Sequence, residues 1–483
     1  MNTKSCAPLG LAVNTDLMSY GELSDSLGLS LLAFSPKNGF NSVVIDSREA
    51  KEGSLLFALN GTKCDGHSFI EEAFKAGAGG AVVDACKLES FNLVNIAKKY
   101  KKNLIVTENT LKSLQGSARV YLEKFKNLVK IGITGSSGKT TTKEITAAII
   151  SSEKNTVMNK GNLNSETGLP LSAFEVRDFH EVGVFELGMN RKDEITEIAD
   201  VLKPNIALIT NIGSAHIENF GSKEKILIEK KSIFKYFTND NIALIPSDDE
   251  YSAELARNVT GNVKFYGTGS FKELEGTRSL GLDGTEIIWA GEKIHFALPG
   301  KHCLEDAMAA IAIAKEIPVS GSAIKKGLES VKPLFGRQEI LKGRVTVIQD
   351  CYNANPESTA KSIEFCDSVE WKGRKVYVIA DMLELGEVSR EAHSRIGSLL
   401  AKSRADGIFL FGGEIEAAVP LLRNKTVFFT KEIEELSAAL DNFLSDGDLV
   451  LLKGSRGCAL ERLTDTILTR DTSPQKPIDG GRQ

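Results

Sequence analysis

Short apolar runs alternate with longer stretches whose hydrophobic residues recur every three or four positions, almost from end to end. Strands followed by amphipathic helices give that rhythm, which marks an α/β architecture. Early on, strands are expected over 42–46, 54–59, 80–83 and 103–106, with a helix over 111–127 leading to a boundary. The run 128–133 is apolar enough to be a buried strand and opens a second unit, with further strands at 182–185, 206–209 and 242–245. A Gly-rich stretch, 265–300, has hairpin-like alternation at 285–289 and 293–297 and precedes a helix over 304–316. After Gly336 the rhythm restarts, with strands expected at 345–348, 376–379, 408–411, 427–429 and 449–452.

At roughly 150 residues per domain, 483 residues suggest about three units. The expected division is a small α/β domain over 1–127, a central, mostly parallel sheet domain with a β-rich extension over 128–335, and a Rossmann-like doubly wound domain over 336–483. The tail 472–483, rich in Pro, Gly and polar residues, reads as disordered. No internal repeat of fixed period is evident.

Composition narrows the function classes. Hydrophobic residues at 42% and charged residues at 25% are ordinary for a globular chain. A net charge of -5 gives no basic footprint, so nucleic acid is not expected as a partner. The first residues lack the apolar run and cleavage site of an export signal, and no stretch approaches the ~20 apolar residues of a membrane span. The seven cysteines are scattered, odd in number and without CxxC pairing, which argues against a disulfide framework or zinc site. A cytoplasmic protein is expected.

The strongest local signal is Gly135-Ser136-Ser137-Gly138-Lys139-Thr140-Thr141, directly after a strand and opening a helix. Glycines there let backbone N–H groups turn toward phosphate oxygens, and the helix N-terminus adds partial positive charge. Lys139 would reach the β- and γ-phosphates, and the Thr140 hydroxyl would ligate Mg²⁺. The full GxxxxGK[ST] pattern needs Gly at 133, where this chain has Ile133. The loop indicates a nucleoside triphosphate without saying what its energy drives.

The segment Thr134–Thr141, lacking the early Gly, resembles the Mur ligase family's form of the loop. The resemblance continues through Gly161-Asn-Leu-Asn164, Glu186-Leu-Gly188, Asn211-Ile-Gly-Ser-Ala-His216, Leu298-Pro-Gly-Lys-His302, Gly336-Arg337 and Asp350-Cys-Tyr-Asn-Ala-Asn-Pro356. It ends with Asp381-Met-Leu-Glu-Leu-Gly386 and Lys453-Gly-Ser-Arg456, and so spans nearly the whole chain in order. Asn355, Asp-Met-Leu-Glu-Leu-Gly and Gly-Asn-Leu-Asn resemble the branch that attaches D-Ala-D-Ala to UDP-MurNAc-tripeptide.

That resemblance implies an ATP-dependent amide ligase that passes through an acyl phosphate; a monomer is expected. It implies two Mg²⁺ ions, with Glu186, His216 and Thr140 as ligands together with Lys230, carbamylated by CO₂; Lys231 is the neighbouring register. Asn162 and Asn164 are implied at substrate and γ-phosphate. Arg337 and Asp350 would meet the nucleotide, with Tyr352, Asn353 and Asn355 in the adjoining loop and Lys453 and Arg456 facing an anionic substrate. Ser47, Arg48, Asn60, Asp65 and His67 resemble UDP-sugar-binding positions. Cys303 and Asp306 stand where the family has Asn; an ionised Asp306 accepts from adenine but cannot donate to it. Sites spread over three units imply domain closure. Other readings are a different amide ligase of the same superfamily, a P-loop regulatory protein without ligase activity, or an inactive scaffold.

Overall fold

The computed structural model describes residues 16–61 and 64–469. The segment 1–15, which bears on export, and the tail expected to be disordered over 472–483 lie outside the described residues. Three principal sheets, each flanked by helices, give the chain the three-domain α/β fold that the pattern of apolar runs predicts.

In the first sheet Ser42–Val44, Ser54–Phe57, Gly80–Asp84 and Asn103–Thr107 run parallel in that order, and Ser30–Leu32 closes the far edge antiparallel. Its inner strands are apolar on both faces because helices cover them, so Ala81, Val82, Leu104 and Ile105 are fully buried. Residues 162–178 and 200–202 pack with this domain as one compact unit, and the middle and C-terminal domains form another.

The middle sheet has the order Asn262–Tyr266, Ile242–Pro246, Ile206–Ile209, Val129–Thr134, Val182–Glu186, Thr156–Met158, all parallel. A three-stranded meander, Leu274–Ser279, Thr285–Trp289 and Glu292–Phe296, buries Ile287, Trp289 and Phe296 against the helices Lys139–Ser151 and Lys301–Ala314. The C-terminal sheet runs Glu339–Lys342, Thr346–Asp350, Leu449–Lys453, Lys375–Ala380, Gly407–Phe411, Val427–Thr430, with only the first pair antiparallel.

Central strands lie where the apolar runs predict them. The strands Thr156–Met158, Asn262–Tyr266 and Glu339–Lys342 are ones the sequence pattern does not predict. All three are sheet edges with little buried surface, so their sequences carry no continuous apolar run. The helix expected over 111–127 ends at Leu122, and the one expected from 304 starts at Lys301, with Gly300 at its N-cap. Among the described residues no helix is long and apolar enough to cross a membrane.

Candidate active site

Three neighbouring strands of the middle sheet end side by side. Glu186 is level with Ile133, and Ile209 with Thr134. The crevice beyond the carboxyl ends of parallel strands is where such sheets take ligands.

The loop 135–138 leaves the central strand and turns into the helix Lys139–Ser151. Two of its glycines are required. Gly138 has φ +79°, and a Cβ there would lie 2.2 Å from Asp306 Oδ1; Gly135 has φ +153°, and its Cβ would meet Thr210 Oγ1. The turn is held from the next strand. The Ser137 N–H donates to Asn211 Oδ1 at 3.1 Å, Asn211 Nδ2 donates to the Ser137 carbonyl at 3.1 Å, and the Thr210 hydroxyl donates to that carbonyl at 2.6 Å. The Gly213 N–H donates to Ser136 Oγ at 2.8 Å. Thr210 and Asn211 therefore shape the loop, and Asn211 belongs to the Asn-Ile-Gly-Ser-Ala-His run already visible in the sequence.

Lys139 Nζ donates to the Gly135 carbonyl at 2.9 Å, and Lys230 Nζ reaches the same oxygen at 2.8 Å. Burial holds both ammonium groups below the usual lysine range. Lys230 is pushed down furthest, because it is fully enclosed and Lys139 adds a second positive charge. Lys231 points elsewhere, donating to the Glu254 and Arg257 carbonyls, so Lys230 is the residue that faces the phosphate loop. Glu229 fixes this helix by accepting from the Asp193 and Ile195 N–H groups, each at 2.8 Å.

Glu186 is buried and accepts from the Thr140 hydroxyl at 2.8 Å. Asn159 clamps its backbone, Oδ1 accepting from the Glu186 N–H at 2.9 Å and Nδ2 donating to the Glu186 carbonyl at 3.0 Å. Sequence reasoning misses Asn159, whose only signal there is its place after the two apolar residues Val157 and Met158. His216 follows the strand Ile206–Ile209 and caps a short helix at φ +63°. Its Nδ1 lies 2.5 Å from Glu384 Oε2 of the C-terminal domain.

Asp306 lies on the helix Lys301–Ala314, against Gly138, and accepts from the Thr142 hydroxyl at 3.3 Å. Burial pushes its carboxyl up to about 8. Burial favours the neutral acid, which has one donor and one acceptor where an ionised Asp306 has acceptors only. Next to it, Thr141, Leu298, Cys303, Leu334 and Arg337 line a pocket beside the phosphate-loop helix.

In the C-terminal domain several expected binding residues bind one another. Asp350 and Lys453 end adjacent strands in register, and Lys453 Nζ lies 2.9 Å from Asp350 Oδ2 and 2.8 Å from the Asn353 carbonyl. The Ser362 hydroxyl also donates to Asp350. Arg337 stacks on Tyr352, 4.1 Å from the ring centroid, and Arg456 pairs with Glu461 at 2.6 Å. Asn355 is the N-cap of the helix Pro356–Ser368, in a capping box with Ser358.

Asn162 and Asn164 belong to the first compact unit. The Asn164 N–H donates to the Asn162 carbonyl at 2.7 Å, closing a tight turn in which Asn162 is exposed. In the same unit Ser47 is buried, and Arg48 is exposed and paired with Asp46. His67 is wholly enclosed: Nδ1 lies 2.6 Å from Asp65 Oδ1, and Nε2 accepts from the Asp84 N–H at 2.9 Å. Asn60 Nδ2 donates to Asp84 Oδ2 at 2.8 Å. These contacts make His67 a brace for the loop that follows Phe57.

Comparison with known proteins places this geometry. The family model described as Mur ligase family, catalytic domain, matches residues 40–118; the Mur ligase middle domain matches 133–314; and the Mur ligase, glutamate ligase domain, matches 336–456. The UDP-N-acetylmuramoyl-tripeptide--D-alanyl-D-alanine ligase of Treponema pallidum is 41% identical over 429 residues, 88% of this chain and 93% of that protein. The chain belongs to the Mur ligase family. As a Mur ligase it is an ATP-dependent ligase. Crystal structures agree: MurF from Acinetobacter baumannii superposes with a TM-score of 0.83 at 27% identity, covering 93% of this chain and 98% of that one. MurF from Thermotoga maritima, in complex with ADP, gives 0.73 at 28% identity, covering 88% and 96%.

Among the described residues of this Mur ligase, no three His, Cys, Asp or Glu side chains gather into a metal cage. Magnesium bound with a nucleotide needs none, since it takes one or two protein oxygens and fills its other positions with phosphate and water. Thr140 and Glu186 supply two hard oxygens beside the phosphate loop and fit such an ion.

Proposed function

We propose that this Mur ligase joins D-alanyl-D-alanine to UDP-MurNAc-tripeptide, yielding UDP-MurNAc-pentapeptide, ADP and phosphate, in cytoplasmic peptidoglycan precursor synthesis. One observation carries the choice of substrates: the likeness to the Treponema pallidum ligase, named for that reaction, extends over nearly the whole length of both chains. We divide the chain into a UDP-substrate domain (1–127), an ATP domain (128–335) and a closing domain (336–483).

The peptide carboxylate attacks the γ-phosphorus of ATP, ADP leaves, and an acyl phosphate remains. The neutral amine of D-alanyl-D-alanine then attacks the acyl carbon, gives up a proton to water or to the departing phosphate, and the tetrahedral intermediate expels phosphate. Both steps crowd anions together, so catalysis rests on cations and positioning. Magnesium, when bound, neutralises phosphate charge as the terminal group transfers. Thr140 and Glu186 offer it oxygens, and His216 offers a ring nitrogen. Lys139 exchanges the Gly135 carbonyl for phosphate oxygens. The nucleotide base is read as lying on the Asp306 side of the phosphate-loop helix, near Arg337.

Lys230 has a different task. Its depressed basicity leaves more neutral amine at physiological pH, and that amine adds to CO₂, releasing a proton and leaving a carbamate anion. The product turns a buried cation into a pair of oxygen ligands. Asn162 and Asn164 are read as substrate contacts, and Ser47 and Arg48 as contacts to the uridine diphosphate.

Purified protein, ATP, Mg²⁺, UDP-MurNAc-tripeptide and D-alanyl-D-alanine are expected to give one phosphate per pentapeptide formed. Phosphate release that does not depend on the dipeptide, or faster ligation of a single diamino acid to a UDP-MurNAc-dipeptide, overturns the proposal.

A further inference from the structure

His216 and Glu384 face each other across the junction of the middle and C-terminal domains. The His216 Nδ1 is buried, and no hydrogen-bond acceptor is aligned with it. Glu384 Oε2 lies 2.5 Å away, within reach of a proton on Nδ1 once the ring turns to align with it. Both residues hold φ +63°, a left-handed conformation that is strained for a non-Gly residue.

The backbones around them are tied as well. The Glu218 N–H donates to the Glu384 carbonyl at 3.1 Å. Gly386 has φ +52°, and a Cβ there would come 3.1 Å from Glu218 Cγ, so the two loops meet at close range. On the other side of His216, Glu357 accepts from the Ser214 hydroxyl at 2.8 Å and its N–H at 3.2 Å, and pairs with Lys223 at 3.1 Å. Two carboxylates of the C-terminal domain thus hold the 214–218 loop from either side.

We propose that Glu384 is a positioning residue for His216: it fixes the imidazole as the Nδ1–H tautomer and leaves the Nε2 lone pair for a cation. A carboxylate behind a metal-binding histidine orients the ring and fixes its tautomer. Because Glu384 arrives on the C-terminal domain, docking of that domain is what completes His216. The inference rests on the reading of His216 as a metal ligand.

The test uses the full-length protein with Mn²⁺ and a non-hydrolysable ATP analogue. Mn²⁺ binding is followed by electron paramagnetic resonance, and the His216 tautomer by ¹⁵N NMR of the imidazole nitrogens. Glu384→Ala is expected to weaken one Mn²⁺ site by about 10–100-fold, the usual loss for such a partner. Glu384→Gln, which keeps an acceptor oxygen, recovers part of it, and His216→Ala/Glu384→Ala binds no more weakly than His216→Ala. The parent shows the Nδ1–H tautomer at His216. If His216→Ala weakens Mn²⁺ binding while Glu384→Ala and Glu384→Gln leave it unchanged, the proposal fails and the metal reading stands. If His216→Ala itself changes nothing, the metal reading fails and the proposal goes with it. Should Glu384→Ala not fold, the tautomer in the parent decides: an Nε2–H imidazole overturns the proposal.

Discussion

Lys139 and Lys230 donate to one and the same acceptor, the Gly135 carbonyl, at 2.9 and 2.8 Å. Two ammonium groups on one neutral oxygen repel each other, and burial removes the water that would screen them. The arrangement favours whatever relieves it: an anion reaching Lys139, or loss of charge at Lys230. Both changes belong to the proposed reaction.

Lys230→Ala is therefore expected to lower ligation by about 10²–10³-fold, the scale of losing one electrostatic stabiliser. ATP binding persists, because Lys139 and the loop remain. Short-chain carboxylates added to the variant restore part of the activity by occupying the vacated space. In the parent, ¹³CO₂ gives a carbamate resonance that is missing in the variant. Full activity in Lys230→Ala excludes the carbamate.

Lys139→Ala and Glu186→Ala are expected to abolish ATP-dependent ligation while the UDP-linked substrate still binds, as measured by calorimetry. Glu186 holds the Thr140 hydroxyl and Lys139 the loop carbonyl, whereas Ser47 and Arg48 lie in the other compact unit. Loss of UDP-substrate binding in either variant, still folded, contradicts that division of labour.

The central architecture was legible because its signals are local. Val129–Thr134 and Val182–Glu186 are apolar runs ended by polar residues, and Gly135 to Thr141 has a spacing that few other structures require. The pairings around the loop were not legible. That Lys230 lies over Gly135, 95 positions away, and that Glu384 lies against His216, follow from strand order and domain docking. Asp350 and Lys453 illustrate the limit. Each looks like a free charge at a strand end, yet parallel register sets them side by side.

Asn355 separates capping from ligand contact. Its Oδ1 accepts from the Ser358 N–H at 2.8 Å, and the Ser358 hydroxyl accepts from the Asn355 N–H at 3.1 Å. Asn355→Ala is expected to cost about 1 kcal/mol of stability, and Asn355→Asp, which still caps, much less. Denaturant unfolding measures the loss of the cap, and KM for ATP and for dipeptide reports any ligand contact. If Asn355→Asp keeps stability but loses activity, the amide contacts a ligand in addition to capping.

Asp306 makes the site sensitive to pH in a direction opposite to that of an ordinary salt-bridged carboxylate. Its carboxyl is pushed up to about 8 by burial, whereas an unfolded aspartate titrates near pH 4. Between those values the folded chain holds a proton that the unfolded chain has released. The group's contribution to stability is therefore complete below about pH 4 and is lost as pH rises through about 8, with no further change above. Asp306→Asn keeps one donor and one acceptor without a proton to lose. It is expected to melt higher than the parent at pH 8.5, by about 2–4 °C for each kcal/mol recovered, and the gap should narrow toward pH 5. Nucleotide binding should follow the same proton. With Oδ1 against Gly138, a carboxylate formed at high pH repels the phosphates, and repulsion of about 1.4 kcal/mol is a tenfold loss of affinity. ATP affinity in the parent should then fall between pH 7 and 9 while that of Asp306→Asn stays level. Parallel pH profiles for the two proteins would mean that Asp306 is already ionised at neutral pH.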